Sequence, residues 1–224
     1  MTLRAGASVK PPIHAGGLED LVARARSLAG SARRSLLGIC GAPGAGKSTL
    51  AQGLVEALGP TAALVPMDGF HLANSELARL GRRDRKGAID TFDGQGFVAL
   101  LRRLRAADEP VVYAPEFRRD IEEAIAGAIA VPREVALIVT EGNYLLSSAE
   151  PWAAIRPLLD EAWYVDPGDR LRQERLIARH VAFGKAPDLA RAWSLGPDQR
   201  NAALIAATRD AADLIVALDD LRLR

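Results

Sequence analysis

The segment Gly41-Ala42-Pro43-Gly44-Ala45-Gly46-Lys47-Ser48 constrains this chain more than any other. It fits the pattern G-x-x-x-x-G-K-[ST] at every fixed position. The apolar stretch Ser35–Cys40 before it reads as a buried strand, and Thr49–Leu58 after it reads as a helix closed by Gly59-Pro60. A glycine loop between a strand and a helix is built to hold phosphate. Glycines let backbone N–H groups converge on phosphate oxygens, and the helix N-terminus favours the anion. Gly41 through Ser48, with Thr49 placed at the α-phosphate, are therefore the expected nucleotide-binding residues. Lys47 is expected at the β- and γ-phosphates and Ser48 on Mg²⁺.

Composition sets the frame. With 224 residues and 49% hydrophobic content the chain can form one sizeable core. A formal net charge of +1 gives no general nucleic-acid surface. Arginine outnumbers lysine heavily, but the arginines are spread along the chain and read as compositional bias. The single cysteine, Cys40, excludes an internal disulfide and suits a reducing, cytoplasmic setting. It reads as a small buried residue. No apolar run is long enough to span a membrane. Residues 1–17 are rich in Gly, Pro and Ala and are expected to be a loose tail, with residues 18–224 forming one domain.

Along that domain, Leu18–Ala29 reads as a helix, Ala62–Pro66 as a strand, and 72–96 as a long irregular segment of the kind that is usually functional. Phe97–Leu104 reads as a short helix and Val111–Tyr113 as a short strand. Val135–Thr140 is a continuous apolar run, as in a parallel strand covered on both faces. Trp152–Leu159 reads as helix, Ala162–Val165 as strand, 168–183 as an Arg-rich helix broken by Gly184–Pro187, 198–210 as helix and Leu214–Leu218 as the last strand. This alternation predicts an α/β, three-layer phosphate-loop NTPase fold, with a parallel sheet, helices on both faces and an Arg-rich lid.

In a parallel sheet the ligand lies beyond the carboxyl ends of the strands. Three strands here end in a carboxylate: Asp68, Glu141 and Asp166. Asp68 is placed to accept a proton from a hydroxyl, to ligate Mg²⁺, or both. Glu141 is placed to hold or orient the metal. Arg172, Arg175 and Arg179 recur at helical spacing and share a face that could reach a transferring phosphoryl group. His180 and His14 are given no role.

These residues resemble a known family. A phosphate loop followed by Asp68-Gly69-Phe70-His71 is similar to the uridine kinase, phosphoribulokinase and bacterial pantothenate kinase group. Asp90-Thr91-Phe92-Asp93 resembles the Asp-x-Phe-Asp segment of those kinases. Tyr113-Ala114-Pro115-Glu116-Phe117-Arg118 resembles their substrate-side segment, Glu141-Gly142-Asn143-Tyr144 their second acidic strand end, and Arg170 to Arg179 their lid helix. The resemblance implies ATP and Mg²⁺ as cofactors. It implies Asp68 as catalytic base, Lys47 and an arginine from Arg175 and Arg179 as catalytic partners, and Ser48, Glu141 and Asp68 around the metal. Phe70, His71, Asp90, Phe92, Tyr113, Arg118 and Asn143 are then expected around the acceptor. The chain departs from uridine kinases at Gly69-Phe70-His71, where they carry Ser-Phe-Tyr, and at Ala88-Ile89, where they carry His-Pro. It is closer to a bacterial nucleoside or nucleotide kinase-like branch, some members of which are linked to sugar transport.

The resulting expectation is ATP-dependent phosphorylation of a hydroxyl on a nucleoside, sugar or pantothenate-like metabolite. The alternative is a nucleotide-binding ATPase or regulatory module without an acceptor. Neither nucleic acid nor membrane is an expected partner, and a homodimer is allowed but not required.

Overall fold

The apolar strands assemble into one parallel sheet. Its order is β1 (Ile13–His14), β8 (Leu214–Val216), β7 (Glu161–Val165), β2 (Ser35–Cys40), β6 (Leu137–Gly142), β3 (Ala62–Leu64). The computed structural model describes residues 10–14 and 16–217. β2 lies between β7 and β6, and every residue of β2 and β6 is buried. A strand covered on both faces needs apolar side chains at every position, which is why these runs show no alternation.

Successive side chains of the central strands serve opposite layers. Leu37, Ile39, Leu137, Val139 and Trp163 pack beneath α1 (Leu18–Ala29) and α2 (Lys47–Leu58). Leu36, Cys40 and Ile138 face the other way, against α4 (Gly94–Ala106), Trp152 and the hairpin β4 (Val111–Arg118) and β5 (Glu123–Pro132). The layers are thus helix, sheet, and helix with hairpin. A short helix α3 (Asn74–Arg79) lies between β3 and α4. The helices α5 (Asp169–Ala182), α6 (Pro187–Leu195) and α7 (Pro197–Ala206) form the lid side.

Several expectations need correction. The tail is not loose throughout, because β1 extends the sheet beside β8. There the Pro12 carbonyl accepts from the Ile215 N–H at 2.9 Å and the His14 carbonyl from the Ala217 N–H at 3.0 Å. That pairing covers an edge strand that would otherwise expose its backbone groups. Residues 1–9 and 15, and Leu218 at the end of the expected last strand, lie outside the described residues. The three-residue strand expected at 111–113 is eight residues long and pairs antiparallel with β5, where no strand was expected. The register shifts between Ala114 and Glu116, so Pro115 sits at a bulge, a place where its missing N–H is tolerated. Trp152–Leu159 forms two 3-10 turns rather than a helix, with Pro157 inside the second. α5 ends at Ala182, ahead of Gly184 at φ 91°, and Pro187, expected only as part of that break, starts α6 as its first residue. The helix expected over 198–210 ends at Ala206 and is followed by a separate turn.

Candidate active site

The phosphate loop joins β2 to α2 with Gly41, Gly44 and Gly46 at φ of 153°, 83° and 100°. A Cβ at Gly44 would stand 2.5 Å from the Arg172 carbonyl, so only glycine lets α5 lie directly on the loop. Lys47 is buried and its ammonium donates to the Ala42 carbonyl at 3.2 Å. Burial lowers its pKa, opposed by the nearby Glu141 carboxylate.

Register brings the carboxylates to this loop. Glu141 pairs with Ile39 and Gly142 with Cys40, the last residue before the loop. The Ser48 hydroxyl donates to Glu141 Oε1 at 2.8 Å. Burial, and then the charge of Asp68, raise the Glu141 pKa. Two glycines bring Asp68 near. At Gly142 a Cβ would sit 2.6 Å from Met67 Cβ, so the chain leaving β3 crosses directly over Gly142. At Gly69 a Cβ would sit 2.4 Å from the Pro115 carbonyl oxygen, so the hairpin packs onto the turn that carries Asp68. Cys40 is buried as expected, its thiol held up at about 11 mainly by desolvation.

A cleft of about 550 Å³ opens beyond these strand ends. Its lining includes Pro43, Lys47, Ser48, Asp68, His71, Phe92, Glu141, Asn143 and Arg179 from the expected set. The His71 Nδ1–H donates to the Asp68 carbonyl at 2.7 Å. Its ring lies 4.0 Å from that of Phe92 and 4.7 Å from that of Phe117. Arg175 Nη1 is 3.6 Å from the position of a Cβ on Gly46, over the loop. Arg179 projects into the cleft, where desolvation and the neighbouring Arg119 lower its pKa. Ala42, Ala45 and the glycines take their expected places in the loop, and Thr49 is exposed on the first turn of α2.

Four expected acceptor residues do not line the cleft. Phe70 turns into the core against Phe97, at 5.1 Å between rings. The Asp90 carboxylate is gripped by both nitrogens of Arg85, at 2.5 and 2.6 Å, and flanked by Arg82. Tyr113 lies on the exposed side of β4. Arg118 forms an outward ion pair with Asp120. The residue that does enter is Arg119, whose Nη2 is 3.5 Å from Asp68 Oδ2. Neighbouring residues at a strand end point to opposite sides, which is why Arg119 enters the cleft and Arg118 does not.

Arg172 does not join the cleft either. It is buried and donates to the Pro43 carbonyl at 3.3 Å, to Asp169 and to Gln199, tying the loop to α7. Arg170 faces outward and pairs with Glu174. Residues that sequence reasoning passed over also line the cleft, among them Asn74, Arg83, Lys86, Phe117, Lys185 and Trp193. His180, left without a role, lines it too and pairs with Asp198 at 2.8 Å. Asp166 takes Arg209 at 3.0 Å and lies in a second hollow of about 350 Å³ on the Ala42 side of the loop.

This geometry has counterparts among known proteins. No family model matches the chain. An ATP-dependent kinase-like protein of Aspergillus versicolor is 38% identical over 133 residues, 56% of this chain and 77% of its own length. A Schizosaccharomyces pombe protein provisionally named uridine kinase C227.14 is 32% identical over 175 residues, 74% of each chain. The chain belongs to the P-loop kinases of the uridine kinase family. A solved structure from Silicibacter sp. TM1040, described as a provisional fructose transport system kinase, agrees. It shares 37% identity and a TM-score of 0.81, covering 89% of this chain and 98% of its own. Among the described residues of this kinase no helix is long and apolar enough to cross a membrane.

Proposed function

We propose that this kinase transfers the γ-phosphoryl group of ATP to a hydroxyl of a small metabolite held in the larger cleft. The observation that carries the reading is the seat of Asp68. Asp68 lines the same cleft as Lys47 and Ser48 of the phosphate loop and as His71, Phe92 and Phe117, with its carboxylate 3.5 Å from Arg119. The acceptor oxygen bonds to the γ-phosphorus, the bond to the bridging oxygen breaks, and ADP leaves. Asp68 takes the hydroxyl proton. Lys47 and the lid residues Arg175 and Arg179 supply fixed positive charge where negative charge spreads in the transition state. The smaller hollow beside Ala42, with Tyr164, Gln199 and Arg209 among its walls, suits the nucleoside end of ATP.

The donor set also fits magnesium. Glu141 is buried, its pKa is pushed up by burial and by Asp68, and among the described residues the Ser48 hydroxyl is the side chain that hydrogen-bonds it. A cation at Ser48, with Glu141 and Asp68 alongside, would relieve that repulsion. Magnesium keeps several waters and needs few protein oxygens. The ion would neutralise charge on the phosphates.

The test is ADP formation with and without a panel of polyols, nucleosides and hydroxy acids. Near silence without an acceptor and strong stimulation by a matching one are expected. Asp68→Asn should lower transfer roughly 10²–10⁴-fold, the range for loss of a general base, with ATP affinity within a few fold. Full-rate ATP hydrolysis that no acceptor alters would favour the regulatory ATPase reading instead.

A further inference from the structure

The segment from Arg82 to Asp90 carries four cations, and the fold divides them into two pairs. Arg82 and Arg85 both turn to Asp90. Arg83 and Lys86 turn the other way and line the cleft. The loop that presents them is anchored at Gly87 through both its backbone groups. The Gly87 N–H donates to Thr91 Oγ1 at 3.0 Å, and the buried Tyr144 hydroxyl donates to the Gly87 carbonyl at 2.7 Å. Asp90 thus organises this loop rather than touching an acceptor.

Lys86 is held by neutral groups. Its ammonium donates to Asn74 Oδ1 at 2.9 Å and to the Glu122 carbonyl at 2.5 Å, and it lies 5.0 Å above the Phe117 ring. Two of its three protons are used, and neither acceptor is a carboxylate. The Glu123 carboxylate is turned to the Asn74 N–H, at 3.0 and 3.2 Å. Among the described residues Arg83 has no hydrogen-bond or ion-pair partner for its guanidinium, and Lys86 has no ion pair. Both cations line the concave cleft without an ion pair of their own, Lys86 half-buried and Arg83 exposed, with the Glu122 carboxylate also on the cleft wall. Burial lowers the Lys86 pKa and Arg83 lowers it further, against the pull of Glu122 and Glu123. An anion that reaches both would offset the desolvation of Lys86 and its repulsion by Arg83.

Their position is set relative to the chemistry. His71 bonds the Asp68 carbonyl, Phe117 packs on His71, and Lys86 stands over Phe117. Two rings therefore separate Lys86 from the turn that carries Asp68.

We propose that the acceptor is an anionic hydroxy compound: its hydroxyl meets Asp68, its carbon skeleton lies on His71 and Phe117, and its carboxylate or phosphate ester docks on Arg83 and Lys86. This rests on reading the cleft as the acceptor site. It excludes free nucleosides and neutral sugars as the preferred acceptors.

The experiment uses matched probes on the full chain: glycerol, glycerate and glycerol 3-phosphate, and ribose, ribonate and ribose 5-phosphate. Binding is measured by calorimetry with a non-hydrolysable ATP analogue and Mg²⁺ occupying the nucleotide site, and transfer is measured separately with ATP. At least one anionic member is expected to bind roughly 10–100-fold tighter than its neutral parent, the worth of one or two charge-assisted hydrogen bonds. The carboxylate and phosphate arms distinguish the two anion types. In R83Q/K86Q that preference should fall to within a few fold, and retained affinity for the ATP analogue reports an intact fold. Neutral members binding as well as their anionic partners, no binding by any anionic member, or a preference that survives R83Q/K86Q would overturn the proposal. Transfer to a neutral member would then leave the kinase reading standing. Anion preference without any transfer would support the anion site and sink the kinase reading.

Discussion

Gly69→Ala tests whether the hairpin is the wall of the acceptor site. The backbone at Gly69 is open to any L-residue, so the effect is purely steric. The new Cβ would lie 2.4 Å from the Pro115 oxygen and 2.8 Å from its carbonyl carbon. Ordinary carbon–oxygen contact is about 3.4 Å, so the hairpin must withdraw by about 1 Å. Both partners are backbone and cannot rotate away. Overpacking of this kind costs about 1–3 kcal/mol. For a chain of this size that lowers Tm by roughly 2–12 °C. The functional effect should be larger. Phe117 and Arg119 move with β4, while Asp68 stays with the strand end, and a misplacement of about 1 Å costs roughly 10²-fold in rate. Steady-state kinetics should show a fall of that size in kcat/KM for the acceptor, with ATP affinity within a few fold because the loop is on other elements. Wild-type acceptor kinetics in a protein with unchanged Tm would refute the reasoning. The hairpin would then be neither tightly packed on Gly69 nor part of the site.

Three further outcomes follow from the same geometry. Lys47→Ala should cut transfer by roughly 10²–10³-fold or more with an unchanged circular dichroism spectrum, because it removes fixed positive charge at the phosphates; near-normal turnover would remove the phosphate-loop argument. Arg119→Ala should raise the acceptor KM roughly tenfold or more. Arg118→Ala should stay close to wild type, since its exposed pair with Asp120 is worth little; the reverse ranking would mean that β4 ends one residue out of register. His71 is held below its ordinary pKa of 6.5, chiefly by burial. As pH falls below about 6.5 the unfolded chain takes up the proton first, so stability present at neutral pH is lost down to the lowered folded pKa. Thermal melts between pH 7.5 and 5 should therefore flatten in His71→Asn, and identical slopes would argue against a buried neutral ring.

How much could be read beforehand depended on the kind of signal. Strands β2 and β6 are buried on both faces, so their runs are continuous, although β6 spans Leu137–Gly142 rather than the expected Val135–Thr140 because the polar Glu141 still belongs to the ladder. The loop follows from the end of β2 and Glu141 from the end of β6, while Asp68 follows β3 (Ala62–Leu64). The hairpin was missed for physical reasons. β4 carries Pro115 at its bulge, which cuts its β-branched run short after Tyr113, and β5 is rich in Ala with Gly127 at φ 69°, which masks its Ile and Val alternation. Without the hairpin nothing distinguishes Arg118 from Arg119. β1 is two residues long and owes its form to β8, a partner about two hundred residues away that no local pattern announces. Asp90 shows the converse error. The Asp-x-Phe-Asp pattern is real, but one carboxylate braces the Arg82–Lys86 segment, and Asp93 caps α4 by accepting from the Gly96 N–H at 2.8 Å. Of the four residues only Phe92 lines the cleft.

The heavy use of arginine, read at first as mere bias, turns out to carry information by exception. Among 29 basic residues, excluding histidine, four are lysines, and three of those, Lys47, Lys86 and Lys185, line the cleft. The arginines elsewhere mostly bridge. Arg34 is buried and ties together the carbonyls of Val135, Leu104, Pro132 and Arg133, and Arg105 and Arg33 converge on Asp160. A planar fork suits such work because it reaches two or more acceptors at once. The cleft lysines need the opposite geometry. Lys47 must fold back within its own loop to the Ala42 carbonyl, where only a compact ammonium on a flexible stem fits. Lys86 holds two neutral acceptors and stands over a ring, with one donor left to offer. Lys185 stands 5.2 Å over Trp193 on the lid side. Lys47, Lys86 and Lys185 thus share the cleft with Arg83, Arg119 and Arg179, while most of the other arginines serve the scaffold.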